Sequence, residues 1–130
     1  MKCNLLRSYL IKSTYEWILN MRMTPYLFAK LRTNYNSSLP LNKQEEETVL
    51  FDISNEAVRN FSCDDDNIIF YATFDGSLSI VKIPSTDILE IYSKESLQGI
   101  FFKNPGFGTE IIEGKPIKIK KRNNVYQFKP

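Results

Sequence analysis

The sequence contains no histidine. Its absence removes the commonest general base near neutral pH, the Ser-His and Cys-His nucleophile pairs, and every histidine metal ligand. Carboxylates could still act alone, but the acidic runs at 45–47 and 64–66 lack the ligand spacing and glycine of a calcium loop, so we expect solvated loops there. Neither glycine-rich phosphate-binding pattern, GxxxxGK[ST] or GxGxxG, is present. The sequence therefore predicts a protein that is not an enzyme and holds no metal or cofactor.

Cysteines and long apolar segments are also scarce. Cys3 and Cys63 offer at most one bridge and form no CxxC motif, so we expect neither a disulfide framework nor a zinc site. No stretch approaches the roughly 20 apolar residues that cross a bilayer, and residues 1–8 lack the apolar core of a signal peptide. We therefore expect a cytoplasmic protein with no membrane partner.

The charged residues are unevenly distributed along the chain. Residues 1–102 carry 10 basic and 13 acidic side chains, whereas residues 103–130 carry 7 and 2. A basic terminal segment punctuated by Pro and Gly is typical of a solvated interaction arm. We predict one compact domain over residues 1–102 and a flexible tail over residues 103–130.

A helix is predicted for residues 5–22, which contain no Gly or Pro and end before Thr24-Pro25. Its apolar side chains cover roughly 220° of the helix surface, more than the stripe of about 100° that one sheet face covers. One edge carries Leu6, Leu10, Trp17 and Met21, and the other carries Ile11, Tyr15, Ile18 and Leu19. The additional arc indicates either a deeper position in the same domain or contact with the same helix of a twofold-related subunit.

Short β-rich runs replace the helical period after Pro25. Strands are predicted for residues 26–31, 48–53, 68–74, 77–83 and 99–102. The dipeptide Asp75-Gly76 accepts positive φ at both central positions of a two-residue hairpin turn and so joins the third and fourth runs. Pro84 ends the hairpin, and residues 87–94 are predicted to form a short helix.

These elements predict an α+β fold. An N-terminal helix precedes a small open antiparallel β-barrel, an Sm-like meander of about five strands, with one short inserted helix and a flexible C-terminal tail. Such a barrel keeps an edge or groove that binds an extended peptide or single-stranded nucleic acid. A small β-barrel RNA-binding module is therefore the alternative to a peptide-binding protein, but nucleic acid is the less favoured partner because residues 1–102 are net acidic.

Four blocks of the sequence carry a resemblance to a known family. Residues 8–27, SYLIKSTYEWILNMRMTPYL, fit the pattern YLL-x3-YEW-[IL]-L-x4-TP at Tyr9, Leu10, Tyr15, Glu16, Trp17, Leu19, Thr24 and Pro25. The later blocks, in the same order and spacing, are VLFDISNEAVRNF (49–61), IIFYATFDGSLSIVKIP (68–84) and ILEIYSKESLQGIFF (88–102). In these features the chain resembles the stringent starvation protein B (SspB) family.

The resemblance implies an adaptor that binds the ssrA-type degradation tag, which ribosome rescue adds to stalled translation products, and tethers tagged proteins to the ClpXP protease. It also implies a homodimer joined through the N-terminal helix. The expected interface residues are Leu6, Leu10, Tyr15, Trp17 and Ile18. The expected tag-binding residues are Ser54, Asn55, Ala57, Ile69 and Tyr71, with Phe102 as a neighbour. Core positions for Ala57 and Phe102, and a turn cap for Ser54, are the alternatives.

The segment GKPIKIK, residues 114–120, resembles the family's ClpX-binding peptide. Alternating apolar and basic residues suit an added strand, in which Ile117 and Ile119 would enter the partner's surface while the lysines stay solvated. The resemblance implies that the ClpX unfoldase binds Pro116, Ile117, Lys118, Ile119 and Lys120. A generic solvated basic tail is the alternative.

Overall fold

The computed structural model describes residues 5–32, 46–74, 76–102 and 125–126. Its elements, in chain order, are helix α1 (Leu6–Asn20), strands β1 (Pro25–Arg32), β2 (Glu46–Asp52), β3 (Arg59–Asp64), β4 (Asn67–Phe74) and β5 (Ser77–Pro84), a 3-10 turn (Ser85–Asp87), and strands β6 (Ile88–Ser93), β7 (Gly99–Phe101) and β8 (Val125–Tyr126). Helix α1 confirms the element predicted for residues 5–22.

The described strands form two sheets. One has the order β7-β6-β1-β2-β8, and the other has the order β3-β4-β5. The pairings are antiparallel except that of β2 with β8, which is parallel. The predicted α+β class, a helix followed by an open antiparallel arrangement of strands, is confirmed, and the two sheets are not closed into a barrel.

A cluster of buried apolar side chains joins the helix to both sheets. Ile11 and Ile18 of α1 are completely buried in it, as is Leu27 of β1. Phe51 of the five-stranded sheet meets Phe70 of the three-stranded sheet edge to face, with their ring centroids 5.3 Å apart. Because each fully buried side chain of this size stabilises the fold by about 1.5–3 kcal/mol, this cluster fixes the position of one sheet on the other.

Helix α1 is capped by a residue from the three-stranded sheet. Its own N-cap residue, Leu5, provides no side-chain cap. Instead, a carboxylate oxygen of Asp66 accepts hydrogen bonds from the Leu5 amide at 3.1 Å and from the Ser8 hydroxyl at 3.2 Å. The helix dipole favours a negative charge at this end. The contact therefore ties the start of α1 to the turn between β3 and β4.

Strand β3 and the turn that follows it were not predicted. Asp65 and Asp66 have φ values of 48° and 65° and lie between the paired residues Asp64 and Asn67. Positive φ at two consecutive residues is characteristic of a two-residue type I′ hairpin turn, which Asp tolerates better than most residues. The acidic run 64–66, expected to be a solvated loop, is thus the end of β3 and its hairpin turn, although Asp64 and Asp65 are exposed as expected. Of the other acidic run, Glu46 and Glu47 lie in strand β2 and not in a loop.

The second hairpin agrees with its prediction. Strands β4 and β5 pair from Asn67 opposite Pro84 to Phe74 opposite Ser77, so a two-residue turn joins them. Gly76 in that turn has a φ of 81°, which glycine adopts without the steric cost of a side chain.

The helix predicted for residues 87–94 is wrong, because these residues begin at the end of the 3-10 turn and continue as strand β6. The error has a specific physical cause. The register shifts between Phe28 and Ala29, so Leu89 is an additional residue on β6. This bulge places Ile88 and Ile91, three residues apart, both in the core. Ile88 and Ile91 therefore have the three-residue spacing that is typical of one face of a helix, although they lie on a bulged strand.

Residues 125–126 lie within the segment expected to be a flexible tail. Val125 and Tyr126 pair with Leu50 and Phe51 of β2, so they form an edge strand of the larger sheet. The predicted ClpX-binding residues Pro116, Ile117, Lys118, Ile119 and Lys120 lie outside the described residues.

Candidate peptide-binding surface

A groove of about 190 Å³ lies beside the turn that connects β2 to β3. We call it the turn groove, and it is lined by Asn55, Glu56, Ala57, Val58, Arg59, Tyr71, Ala72, Thr73 and Leu78. Three hydrogen bonds fix the turn. Asp52 accepts one from the Ser54 amide, and the Ser54 carbonyl accepts two from the amides of Ala57 and Val58, each at 3.0 Å. One wall of the groove is therefore a backbone turn of defined shape.

The opposite wall is the outer face of the three-stranded sheet. Phe70 and Ala72 of β4 are buried, whereas Tyr71 and Thr73 are only half-buried, as the alternation of a strand requires. Leu78 of β5 pairs with Thr73 and is 62% exposed. One face of this strand therefore builds the core, while the other is available to a ligand.

The structure brings together three of the predicted tag-binding residues, Asn55, Ala57 and Tyr71, in the turn groove. Ser54 is buried in the same turn and lines the neighbouring pocket. Ile69 is half-buried on β4, where it pairs with Ser62 and Lys82 and does not line the groove.

Phe102 lies at another position in the fold. It is buried, and the Arg7 guanidinium lies 4.2 Å from the centre of its ring. The same guanidinium donates hydrogen bonds to the carbonyl oxygens of Ile88 at 3.2 Å and Thr86 at 3.4 Å, and burial lowers the pKa of Arg7. Phe102 thus supports a buried arginine of α1 and is not part of the groove wall.

Charged side chains border the groove without partners in the described part of the chain. Glu56 and Arg59 are both exposed, and neither side chain forms a hydrogen bond or ion pair with a described residue. Arg59 pairs through its backbone with Tyr71, which places a cation beside an aromatic ring at the groove. These groups could bind charged atoms of a ligand without first breaking a contact within the protein.

A second pocket, of about 300 Å³, adjoins the turn groove. We call it the Arg22 pocket, and it is lined by Leu19, Arg22, Met23, Thr24, Ser54, Asn55 and Glu56. Asn55 and Glu56 line both cavities, so the two are neighbours across the same turn. Sequence reasoning missed this pocket because Arg22 follows the helix, and no motif indicated its backbone conformation.

One edge of α1 is left uncovered by the other residues that the structure describes. Leu6 is 64% exposed and Met21 is 56% exposed. A cavity of about 490 Å³, the helix cavity, lies along this edge and is lined by Leu10, Ser13, Thr14, Trp17, Gln98, Gly99 and Ile100. Of the predicted interface residues, Leu6 and Trp17 are exposed on this edge, and the structure adds Tyr9. Leu10 lines the helix cavity but is half-buried and packs against the core.

The other two predicted interface residues face the body of the same chain. Ile18 is completely buried in the core. The ring of Tyr15 stacks on Phe61 with a centroid distance of 4.0 Å, and burial raises the pKa of its hydroxyl. Ile18 and Tyr15 therefore belong to the part of the apolar surface of α1 that packs against the same chain.

Within residues 5–32, 46–74, 76–102 and 125–126, no three side chains of the His, Cys, Asp and Glu type come together as metal ligands. In the same part of the chain, no helix combines the length and the apolar character that crossing a membrane requires.

Comparison with known proteins adds to this geometry. A family model described as "Stringent starvation protein B" matches residues 5–122, which include the helix, both hairpins and the turn at the groove. The chain belongs to the stringent starvation protein B family. A stringent starvation protein B homolog from Haemophilus influenzae is 29% identical over 97 residues, which are 75% of this chain. The match spans 64% of the length of that relative. Family membership confirms the resemblance that the four sequence blocks indicated.

Proposed function

We propose that the protein is a peptide-binding adaptor that holds an ssrA-type degradation tag in the turn groove and delivers the tagged protein to the ClpXP protease. Family membership supports an adaptor role in general. The observation that carries the proposal is the meeting of Asn55, Ala57 and Tyr71 at a groove bordered by a fixed backbone turn and the outer face of a sheet. Bond cleavage belongs to the protease in this mechanism.

The groove suits a polypeptide better than a compact ligand. Its volume of about 190 Å³ lies below the roughly 300–1,000 Å³ that encloses most small-molecule ligands. An extended peptide needs only such shallow contacts, because alternate side chains enter pockets while the backbone hydrogen-bonds along the surface. Asn55 offers amide donors and an acceptor at the rim, and Tyr71 offers a ring for packing.

The uncovered edge of α1 supports the proposed homodimer. Leu6, Leu10 and Trp17 lie beside the helix cavity or remain exposed at its edge. Large apolar side chains grouped on one surface are typical of a contact with another protein. The same helix of a second copy presents the same surface, as twofold symmetry requires, so each dimer would carry two grooves.

Delivery requires a second contact, which we assign to Ile117 and Ile119 in the basic tail. A protein that holds the tag with its body and the unfoldase with its tail raises the effective concentration of the substrate to the millimolar range for a short flexible linker. Weak individual contacts are then sufficient.

A degradation assay tests both contacts. Addition of the protein to ClpXP should accelerate degradation of a tagged fluorescent protein, and Tyr71→Ala should remove this stimulation together with tag binding. Ile117→Ser combined with Ile119→Ser should remove the stimulation but leave tag binding unchanged. Ile111→Ser is the matched control for the tail, because it removes an apolar side chain outside the motif.

Two results would contradict the proposal. Full stimulation by the Ile117→Ser and Ile119→Ser double variant would remove the role given to the tail. Salt-sensitive binding of single-stranded RNA, with no binding of a tag peptide, would assign the protein to the RNA-binding class instead.

A further inference from the structure

Arg22 has a backbone conformation that disfavours its side chain. Its φ of 59° lies in the left-handed region, where glycine is the usual residue because a side chain is strained there. Two hydrogen bonds define how helix α1 ends at this residue. The Arg22 amide donates to the Leu19 carbonyl at 2.9 Å, and the Met23 amide donates to the Ile18 carbonyl at 3.1 Å. These are the two bonds of a Schellman motif, in which Arg22 occupies the position that normally favours glycine.

The Arg22 side chain gives the described fold no polar contact in return for this strain. It is exposed and forms neither a hydrogen bond nor an ion pair with any residue that the structure describes. Residues other than glycine that the surrounding structure holds in the left-handed region cluster at functional sites. Ser54 and Asn55 provide a hydroxyl and an amide group at the Arg22 pocket, which can orient a polar ligand, whereas the amide and hydroxyl of Thr24 already donate hydrogen bonds to Glu95.

We propose that the Arg22 pocket is a second subsite of the peptide-binding surface and takes a carboxylate of the bound polypeptide. The inference rests on the proposed function and deepens it. A guanidinium group binds a carboxylate through two parallel hydrogen bonds, which gives both attraction and orientation. Because the pocket shares Asn55 and Glu56 with the turn groove, one peptide can cross the turn and place successive residues in both cavities.

Glu56 sets the selectivity of this surface. It lines both cavities and repels an acidic ligand, whereas Arg22 borders one cavity and Arg59 the other. Of the charged residues that line the two cavities, two are cations and one is an anion, while the nearby Glu95 carboxylate is held by hydrogen bonds from Thr24. The charge of the lining therefore favours a negatively charged peptide over a positively charged one. Removing the repulsion with Glu56→Gln should tighten binding of an acidic peptide by about threefold.

The test uses fluorescently labelled tag peptides and the complete chain. One series carries a single Asp or a single Asn at each position in turn, and a second carries a free or an amidated carboxyl terminus. The two series distinguish an acidic side chain from the chain terminus as the source of the carboxylate. The variants are Arg22→Asn, which tolerates a positive φ, Arg22→Lys, which keeps the charge, and the control Lys12→Gln, which removes a cation outside both cavities.

We expect the wild-type protein to prefer the carboxylate form at one position of one series. Arg22→Asn should weaken binding of that peptide by about threefold to tenfold and abolish the preference, while its thermal unfolding midpoint stays equal to or above that of the wild type. Arg22→Lys should retain most of the preference, and Lys12→Gln should bind as the wild type does. A loss of binding without a loss of stability is a result that a purely structural role cannot produce.

Three outcomes would overturn the subsite. Equal affinities of the wild type and Arg22→Asn for every peptide would remove it but leave the turn groove intact. Absence of tag-peptide binding by the wild type would overturn the proposed function and the subsite with it. Binding of single-stranded RNA that is lost in Arg22→Asn would assign the pocket to phosphate groups instead.

Discussion

The two edges of helix α1 are both apolar, but the other described residues bury only one of them. Ile11 and Ile18 on one edge are completely buried, whereas Leu6 and Met21 on the other are more than half exposed. Their sequence periodicity is the same, so hydrophobicity alone does not distinguish a core contact from an interface contact. What distinguishes them is the position of the sheets, which cover one edge and leave the helix cavity along the other.

Substitution of the buried edge should have the largest effect on stability. Ile18→Ala should lower the free energy of unfolding by about 2–5 kcal/mol, because it removes packed atoms and leaves a cavity. Met21→Ala, at an exposed position of the same helix, should cost about 0.5 kcal/mol or less at protein concentrations where the chain is monomeric. Urea denaturation measures both. Equal losses would show that the two edges do not differ in the way described.

Substitution of the exposed edge should change association rather than folding. Trp17→Glu places a charge at the wall of the helix cavity, and we expect it to weaken the proposed dimer by about 2 kcal/mol or more while the monomer remains folded. Analytical ultracentrifugation with circular dichroism separates the two effects. Lys12→Glu, which places the same charge on α1 beside Glu16 and outside the helix cavity, is the control and should associate as the wild type does. A wild type that stays monomeric at high concentration would contradict the dimer.

The cap at the start of α1 should contribute a smaller amount. Asp66→Asn keeps an oxygen acceptor and tolerates the positive φ but removes the charge near the helix N-terminus, so we expect a loss of about 0.3–1 kcal/mol. Asp65→Asn in the same turn is the matched control and should be nearly neutral. The difference between the two variants should shrink in high salt, and urea denaturation at two salt concentrations would detect it.

The smallest effect is expected at Glu95 and depends on pH. Burial acts to raise its pKa, but hydrogen bonds from the amide and hydroxyl of Thr24, each 2.7 Å long, and the charge of Lys94 outweigh it, so the pKa is lowered. A lowered carboxyl pKa stabilises the fold above the unfolded pKa of about 4.5, and the stabilisation is lost as the pH falls through the folded pKa.

For Glu95→Gln we therefore expect a loss of about 0.5 kcal/mol or less at pH 7 and no difference from the wild type at acidic pH, since the group is exposed. Urea denaturation at both pH values tests this sign. A variant whose deficit grows as the pH falls would contradict it, and Glu56→Gln, which has no described partner, is the control.

Much of the fold follows from patterns that are local in sequence. Helix α1 and the β4–β5 hairpin were predicted because their signals, an uninterrupted apolar period and an Asp-Gly turn, act over a few residues. Strand β3 was missed because Asp65 and Asp66 indicate a loop until their positive φ values are known. The prediction of a helix for residues 87–94 was wrong because these residues form a strand with a bulge at Leu89. The bulge depends on the pairing register with β1, which residues 87–94 alone do not indicate.

Part of the turn groove also follows from the sequence. The resemblance grouped Asn55, Ala57 and Tyr71, and these residues line one groove because a family pattern preserves which segments meet in space. That they bind the tag stays a prediction. The resemblance gave no indication of Arg22, because a left-handed residue after a helix is a feature of this backbone. Which α1 residues lie in the core and which lie on the exposed edge also depends on the positions of the sheets, and the sequence did not indicate these positions.

The most direct measurement is a titration of the isotopically labelled protein with an unlabelled tag peptide, followed through its backbone amide resonances. If the turn groove holds the tag, the largest shifts should fall on residues 55–59 and 71–73, with smaller shifts at Arg22 and Thr24. The amides of Ile11 and Ile18 on the buried edge of α1 should remain unchanged. Saturable shifts confined to other surfaces, or no shifts at a peptide concentration that competes with a tagged protein in the degradation assay, would contradict the proposed site.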